Sequence, residues 1–132
     1  MTTTYFLNCM MGNVFGVKTD PSLPTEYYIG LSATAPSADG SGVTEPVGGN
    51  YARVKLTSMG EPVDGEITNA ALIEFPESTE DWGTMTHYVL FDAASDGNLL
   101  MAKQLMKARV VQAENQVCFK PSALKFTLTS EM

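Results

Sequence analysis

The sequence predicts a mainly β protein: an antiparallel, jelly-roll-like β-sandwich of about eight strands, preceded by a short N-terminal amphipathic helix. Apolar and polar residues alternate in several short segments, as they do in strands that bury one face. Gly, Asn, Asp and Pro separate these segments, as they separate the strands of sandwiches and small barrels. The 132 residues match the usual size of one domain, so we expect a single domain over 1–132, with the helix at 3–16 and the sandwich at 26–130.

The helix is predicted from apolar residues that recur at three- and four-residue steps. Thr3 or Thr4 can cap its start, and Gly16 can end it. The apolar stripe contains Phe6, Leu7, Met10, Met11, Val14 and Phe15. Such a stripe usually packs onto its own domain, but its soft methionine side chains leave open a partner-binding face.

Eight segments are predicted as strands: 27–32, 51–58, 70–75, 84–91, 99–105, 108–111, 116–120 and 124–129. In the second segment, alternation points Ala52 and Val54 inward and Arg53 outward; in the third, it points Ala71 inward. The segment 84–91 carries apolar residues on both faces at its end, which indicates a central strand covered on both sides.

A long segment of small residues, Ala33 to Asn50, joins the first two predicted strands. Rigid scaffolds often present such loops for binding, so we expect the recognition surface there or on the neighbouring turns at 77–81 and 92–98. Glycine and serine are also typical of a passive linker, and this alternative stays open. Shortening Ala38 to Val43 is expected to leave the melting temperature nearly unchanged.

The formal net charge of −7 argues against nucleic-acid binding, which needs clustered Lys and Arg. Residues 1–100 hold 13 acidic and three basic residues, whereas 101–132 hold two acidic and five basic ones. These charges either form an ordinary solvated surface or provide complementary edges between neighbouring copies. No apolar run reaches the roughly 18 residues of a membrane-spanning helix, so no membrane insertion is expected. Cys9 and Cys118 fit no metal or redox motif and are predicted to be free, buried thiols.

The single histidine, His87, lies close in sequence to the residue types of an acyl-transfer triad. Its candidate partners are Asp81, Thr86, Asp92 and Ser95. On a regular strand, however, His87 shares a face with Met85 and Val89, whereas Asp92 lies on the opposite face. No Gly-x-Ser-x-Gly turn exposes Ser95 as a nucleophile. The pattern therefore favours a structural histidine.

Acidic side chains cluster in the turns at 77–81 and 92–98, but neither turn has the regularly spaced oxygen ligands of a calcium loop. Asp92, Asp96 and Asn98 come closest to a cation loop, and they favour side-chain to backbone hydrogen bonds in a turn. The chain also has no glycine motif for binding phosphate. We therefore predict no enzyme activity, no catalytic, cofactor-binding or metal-binding residues, and no cofactor.

Several short segments of the chain form a more specific pattern. They are Tyr51-Ala52-Arg53, Phe75-Pro76, and the motif WGTxTHxxLFDAAxxGNLL at 82–100. With "YYIGLSATAP" before them and "VCFKPSALKFTL" after them, they resemble the small bacteriophage structural proteins known as phage tail fiber proteins. The similarity covers nearly the whole chain.

This resemblance implies a non-enzymatic virion structural protein, a tail, fiber or capsid-surface component that serves particle assembly or host-surface attachment. It implies a location in the virion, assembled in the host cytoplasm, with other tail, baseplate or capsid proteins as partners and a host-surface glycan as a candidate ligand. A homo-oligomer is expected, with a trimer as the leading arrangement. The alternative is a carbohydrate- or protein-binding sandwich outside a virion, although such a module needs no Met- and Phe-rich helix.

Overall fold

A computed structural model describes residues 1–18 and 20–127, and in these residues it contains one helix and eight strands. The elements are α1 (Thr4–Phe15), β1 (Tyr28–Ser32), β2 (Val54–Lys55), β3 (Glu66–Thr68), β4 (Ile73–Glu74), β5 (Gly83–Phe91), β6 (Leu99–Val111), β7 (Cys118–Phe119) and β8 (Lys125–Thr127). All of the strand pairs are antiparallel. The predicted fold class is confirmed: the protein is mainly β, with a short N-terminal helix and strands consistent with a β-sandwich.

The strands form one main sheet and two small sheets. The main sheet has the order β2-β1-β5-β6, and the small sheets pair β3 with β8 and β4 with β7. Strand β5 lies inside the main sheet and is covered on both faces, as predicted. Its Tyr88 and Leu90 belong to the main core, whereas Val89 and Phe91 belong to a second apolar cluster on the opposite face.

The main core lies between the main sheet, the small sheets and α1. Its fully buried members include Phe75 and Leu124, and their removal from water stabilises the packing of these layers. The buried polar residue Asn69 connects two of the layers. Its side-chain amide donates to the carbonyls of Ala71 and Lys120, and its Oδ1 accepts a hydrogen bond from the Leu124 backbone at 2.9 Å.

The helix begins and ends where the sequence predicts. Thr3 is the N-cap, with its Oγ1 accepting a hydrogen bond from Phe6 N at 3.3 Å, and Gly16 ends the helix with a φ of 69°. The Thr3 backbone also donates to the carbonyl of Leu100 at 2.9 Å. The helix is therefore fixed to the start of β6.

Two of the predicted strands form a single strand in the structure. The segments 99–105 and 108–111 join in β6, which stays paired with β5 through an irregularity. Met85 pairs with Arg109 and His87 pairs with Gln104, so two steps along β5 match five along β6. The extra residues of β6 form a bulge. The bulge interrupts the alternation of apolar and polar residues, and for this reason the sequence predicted two strands here.

Other sequence predictions are wrong in detail. Ala52 and Ala71 are exposed, although alternation pointed them inward. Strand β3 was not predicted, because its residues follow a turn and reach only intermediate burial. Both cysteines are free, but only Cys9 is buried, whereas Cys118 is exposed. The end of the predicted sandwich, 128–130, lies outside the described residues.

Candidate functional site

The connections at one end of the main sheet are held by a partly buried ion pair between Arg53 and Glu45. Arg53 Nη2 lies 2.6 Å from Glu45 Oε1, and its Nε donates to Oε2 at 3.0 Å. The arginine side chain is only 7% exposed and the glutamate 21%. The outward position predicted for Arg53 is therefore wrong, because this paired geometry satisfies the charges out of water.

Arg53 also binds the turn at 92–98. Its Nη1 donates to the carbonyls of Ala93 and Asp96, each at 2.8 Å. Its guanidinium carbon lies 3.5 Å from the centroid of the Phe91 ring, a cation–π contact. One side chain thus joins β2, the loop that carries Glu45 and the turn that follows β5.

Tyr51 completes this cluster. Its hydroxyl donates to Glu45 Oε2 and accepts a hydrogen bond from Leu31 N at 3.1 Å. Its ring packs edge-on against Trp82, with 5.3 Å between the ring centroids. Burial, together with the hydrogen bond to the Glu45 carboxylate, raises the pKa of Tyr51 far above its usual value.

We call the segment 33–50 and the turns at 77–81 and 92–98 the loop face. The backbone carbonyl of Gly49 accepts hydrogen bonds from Trp82 Nε1 at 2.9 Å and from Thr79 N at 3.0 Å. Asn50 Nδ2 donates to the carbonyl of Glu77 at 3.0 Å. The structure therefore brings together the three segments in which the sequence predicts recognition.

The segment 33–50 folds back along β1. Ala33 N donates to the carbonyl of Thr44 at 2.9 Å, and Thr44 N donates to Ser32 Oγ at 3.0 Å. Val43 packs against the second apolar cluster, and so covers the outer face of the main sheet. These contacts show an anchored segment and not a flexible one, and they argue against the expectation that Ala38 to Val43 can be removed at little cost.

The exposed rim of the loop face is acidic. Its exposed carboxylates belong to Asp39, Glu77, Glu80, Asp81 and Asp96. Hydrogen bonds from the Ser41 side chain and backbone lower the pKa of Asp39. Within the described part of the chain, no three His, Cys, Asp or Glu side chains lie close enough together to hold a metal ion.

The turn at 92–98 uses its polar residues in the way that the sequence favours. Asp92 Oδ1 accepts a hydrogen bond from Asn98 N at 2.7 Å, and Oδ2 accepts one from Asn98 Nδ2 at 3.0 Å. Gly97 has a φ of 74°. The prediction of turn chemistry at these residues is confirmed.

His87 lies in the middle of β5, whereas its candidate triad partners Asp81, Asp92 and Ser95 lie in the loop face. Its Nδ1 makes a hydrogen bond with Thr86 Oγ1 at 2.8 Å, and burial lowers the pKa of the imidazole. His87 shares a face with Val89, as predicted, but not with Met85: Met85 lies in the main core with Tyr88, because the irregular pairing at Thr86 interrupts the alternation. His87 therefore lies on the face that carries Val89.

The helix α1 presents a second candidate surface. It packs on the protein through Phe6, Cys9 and Gly12. Of the other members of the predicted stripe, Met10 is partly buried against the core, whereas Leu7, Met11, Val14 and Phe15 are exposed. The prediction that the stripe packs onto its own domain thus holds for Phe6 and Met10, whereas the four exposed residues form an apolar face.

An apolar cleft of about 440 Å³ opens between α1, the main sheet and the β3-β8 pair. Phe6 and Met10 form its helix side, Leu90 and Met101 come from the main sheet, and Phe126 comes from β8. This cleft could not be predicted from the sequence, because its lining comes from distant segments. No helix in the described residues has the length and hydropathy needed to cross a membrane.

The protein presents anchored loops on a small β-sandwich, next to a helix with an exposed apolar face. This arrangement is typical of a protein that binds partners through its surface. A family model described as Podophage GP4 fiber I protein gp80 matches residues 1–127. The chain belongs to this family of podophage fiber proteins, which makes it a phage structural component that associates with other virion proteins. No individual curated protein matches the chain significantly.

Proposed function

We propose that the protein is a non-enzymatic subunit of the phage particle, assembled in the bacterial cytoplasm, which uses the loop face to attach to the host surface. The match to a podophage fiber family over residues 1–127 supports this proposal most directly. The same match makes a binding module outside a virion the weaker alternative.

The loop face suits attachment because its segments are held in place before a ligand arrives. Arg53 connects Glu45 to Ala93 and Asp96, and Gly49 connects the loop to Trp82. Ordering a flexible loop on binding costs free energy, so an anchored loop keeps more of its contact energy as affinity.

The chemistry of the loop face indicates the kind of ligand. The exposed carboxylates and the hydroxyl oxygen of Ser41 can accept hydrogen bonds from sugar hydroxyl groups. The acidic rim repels polyanions, so a neutral or amino-containing glycan fits better than a phosphorylated or sulfated one.

The test uses phage particles and the purified protein. Antibody labelling should place the protein on intact particles, and excess purified protein should reduce adsorption of the phage to host cells. Glu77→Lys with Glu80→Lys, both in exposed positions, should weaken this competition, whereas Glu61→Lys, exposed but outside the loop face, should not. Absence from particles contradicts the virion role, and equal competition by all variants contradicts the loop face as the attachment surface.

The non-enzymatic character has its own test. His87→Gln should affect stability more than any activity, because the histidine contacts only its neighbour Thr86 among the described hydrogen bonds. Turnover of a polysaccharide or peptidoglycan that this substitution abolishes in a folded protein contradicts the proposal. The homo-oligomer expected from the sequence stays a prediction.

A further inference from the structure

The exposed face of α1 is apolar and carries no charge. Leu7, Met11, Val14 and Phe15 are 40%, 58%, 73% and 73% exposed, and no residue from Thr4 to Phe15 is charged. At 100° per residue, these four positions lie within one arc of the helix. Apolar faces of this kind on a folded protein mark interaction sites.

The net charge of the protein limits where two copies can meet. Two copies that each carry a net charge of −7 repel one another over most of their surfaces. The uncharged helix is a place where this repulsion is weakest. Burial of the apolar side chains can then stabilise a contact between two copies.

Charged residues lie at both ends of the helix. Ala38 O accepts a hydrogen bond from Thr4 N at 2.9 Å, which holds the neighbouring Asp39 near the start of α1. Lys18 N donates to the carbonyl of Gly12 at 3.2 Å, which holds Lys18 near the end of α1. Both side chains are exposed. Asp39 therefore lies near one end of the apolar face, and Lys18 lies near the other.

We infer that α1 forms the contact between two copies of this chain, related by a two-fold axis, with the two helices antiparallel. Antiparallel helices bring Asp39 of each copy close to Lys18 of its partner copy, whereas parallel helices bring like charges together. Antiparallel helix dipoles also attract each other. The resulting interface is isologous, as in most dimers.

The same axis fixes which side chains meet. With Met11 at the axis, Leu7 of one copy lies opposite Val14 of the other, because these residues stand four positions before and three positions after Met11.

The first test is sedimentation equilibrium of the full chain. We expect a monomer–dimer equilibrium, and Val14→Glu should raise the dimer Kd by roughly 30-fold or more, as loss of a central interface contact does. Val47→Glu is the matched control, since Val47 is 97% exposed and lies outside α1. A monomer at all concentrations, a trimer, or an equal effect of both variants overturns the inference.

The second test addresses the direction of the helices. In a Cys118→Ser background, Met11→Cys should form a disulfide-linked dimer under mild oxidation. Leu7→Cys and Val14→Cys should cross-link when mixed, but not when each is alone. Cross-linking of each variant with itself and not with the other indicates parallel helices and overturns the inference.

A charge exchange gives an independent readout. Lys18→Glu and Asp39→Lys should each weaken the dimer, and the double variant should recover most of the affinity. Circular dichroism must show an intact fold, because Asp39 also accepts hydrogen bonds from Ser41. No recovery in a folded double variant contradicts the proposed pairing. These outcomes do not affect the attachment test, which depends on Glu77 and Glu80.

Discussion

The guanidinium carbon of Arg53 lies 3.5 Å from the ring centroid of Phe91. The ring belongs to the second apolar cluster, and the guanidinium group also binds Glu45, Ala93 and Asp96. Arg53 therefore makes both an apolar packing contact and several polar contacts. The positions of Glu45 and of the turn at 92–98 depend on this side chain.

Arg53→Ala should destabilise the protein by about 3 kcal/mol, because it leaves the half-buried Glu45 carboxylate and two carbonyls without their donor. Urea denaturation measures the change in the free energy of unfolding. Lys55→Ala is the control: its ion pair with Glu26 is about half exposed on both sides and should contribute at most about 1 kcal/mol. Equal losses for the two variants contradict a structural role for Arg53.

Stability should fall as the pH rises above about 10, the unfolded pKa of tyrosine. Burial raises the folded pKa of Tyr51 and of Tyr88, so above pH 10 the unfolded chain releases protons that the folded protein retains. Each such group contributes a slope of up to about 1.4 kcal/mol per pH unit. Tyr51→Phe should reduce this slope in urea titrations between about pH 9 and 11. An unchanged slope contradicts a buried, neutral Tyr51.

Removing Ala38 to Val43 should lower the melting temperature, contrary to the expectation from loop length alone. The deletion removes Val43 from the second apolar cluster and Ala38 O from Thr4 N at the start of α1. Val43→Ala should cost about 1 kcal/mol, whereas Val47→Ala, at a side chain that is 97% exposed, should cost almost nothing. A deletion variant with the parent melting temperature shows that these contacts contribute little.

The fold class could be predicted because its signals are local. Thr3 and Gly16 mark the ends of α1 through their own backbone chemistry, and the apolar run in β5 shows a strand covered on both faces. Where the pairing is irregular, alternation fails. The bulge between β5 and β6 moved Met85 and His87 to opposite faces, and no single segment of sequence shows which residues pair.

The contacts of the loop face could be predicted only in part. The sequence identified its three segments from their turn residues and length, but not Glu45 as the partner of Arg53. Arg53 looked like an ordinary outward residue of an alternating strand, and its burial depends on Phe91 and Ala93, which lie about 40 positions away. The Tyr51-Ala52-Arg53 motif was the one available signal, and it gave no partner.

Gly49 should tolerate substitution less well than its neighbour Gly48. Both have a left-handed backbone, with φ of 76° for Gly48 and 62° for Gly49, so alanine costs roughly 1 kcal/mol at either position through strain alone. A Cβ on Gly48 meets nothing within 4 Å, whereas one on Gly49 lies 2.9 Å from Trp82 Nε1 and 3.3 Å from Glu80 Cβ. Gly49→Ala should therefore displace the indole that donates to the Gly49 carbonyl, and cost about 2 kcal/mol more than Gly48→Ala. Urea denaturation gives the difference, and Trp82, the only tryptophan in the chain, reports it by fluorescence. If the two variants are equally stable and the emission of Trp82 is unchanged in both, the contact between Gly49 and Trp82 does not hold the loop face in place.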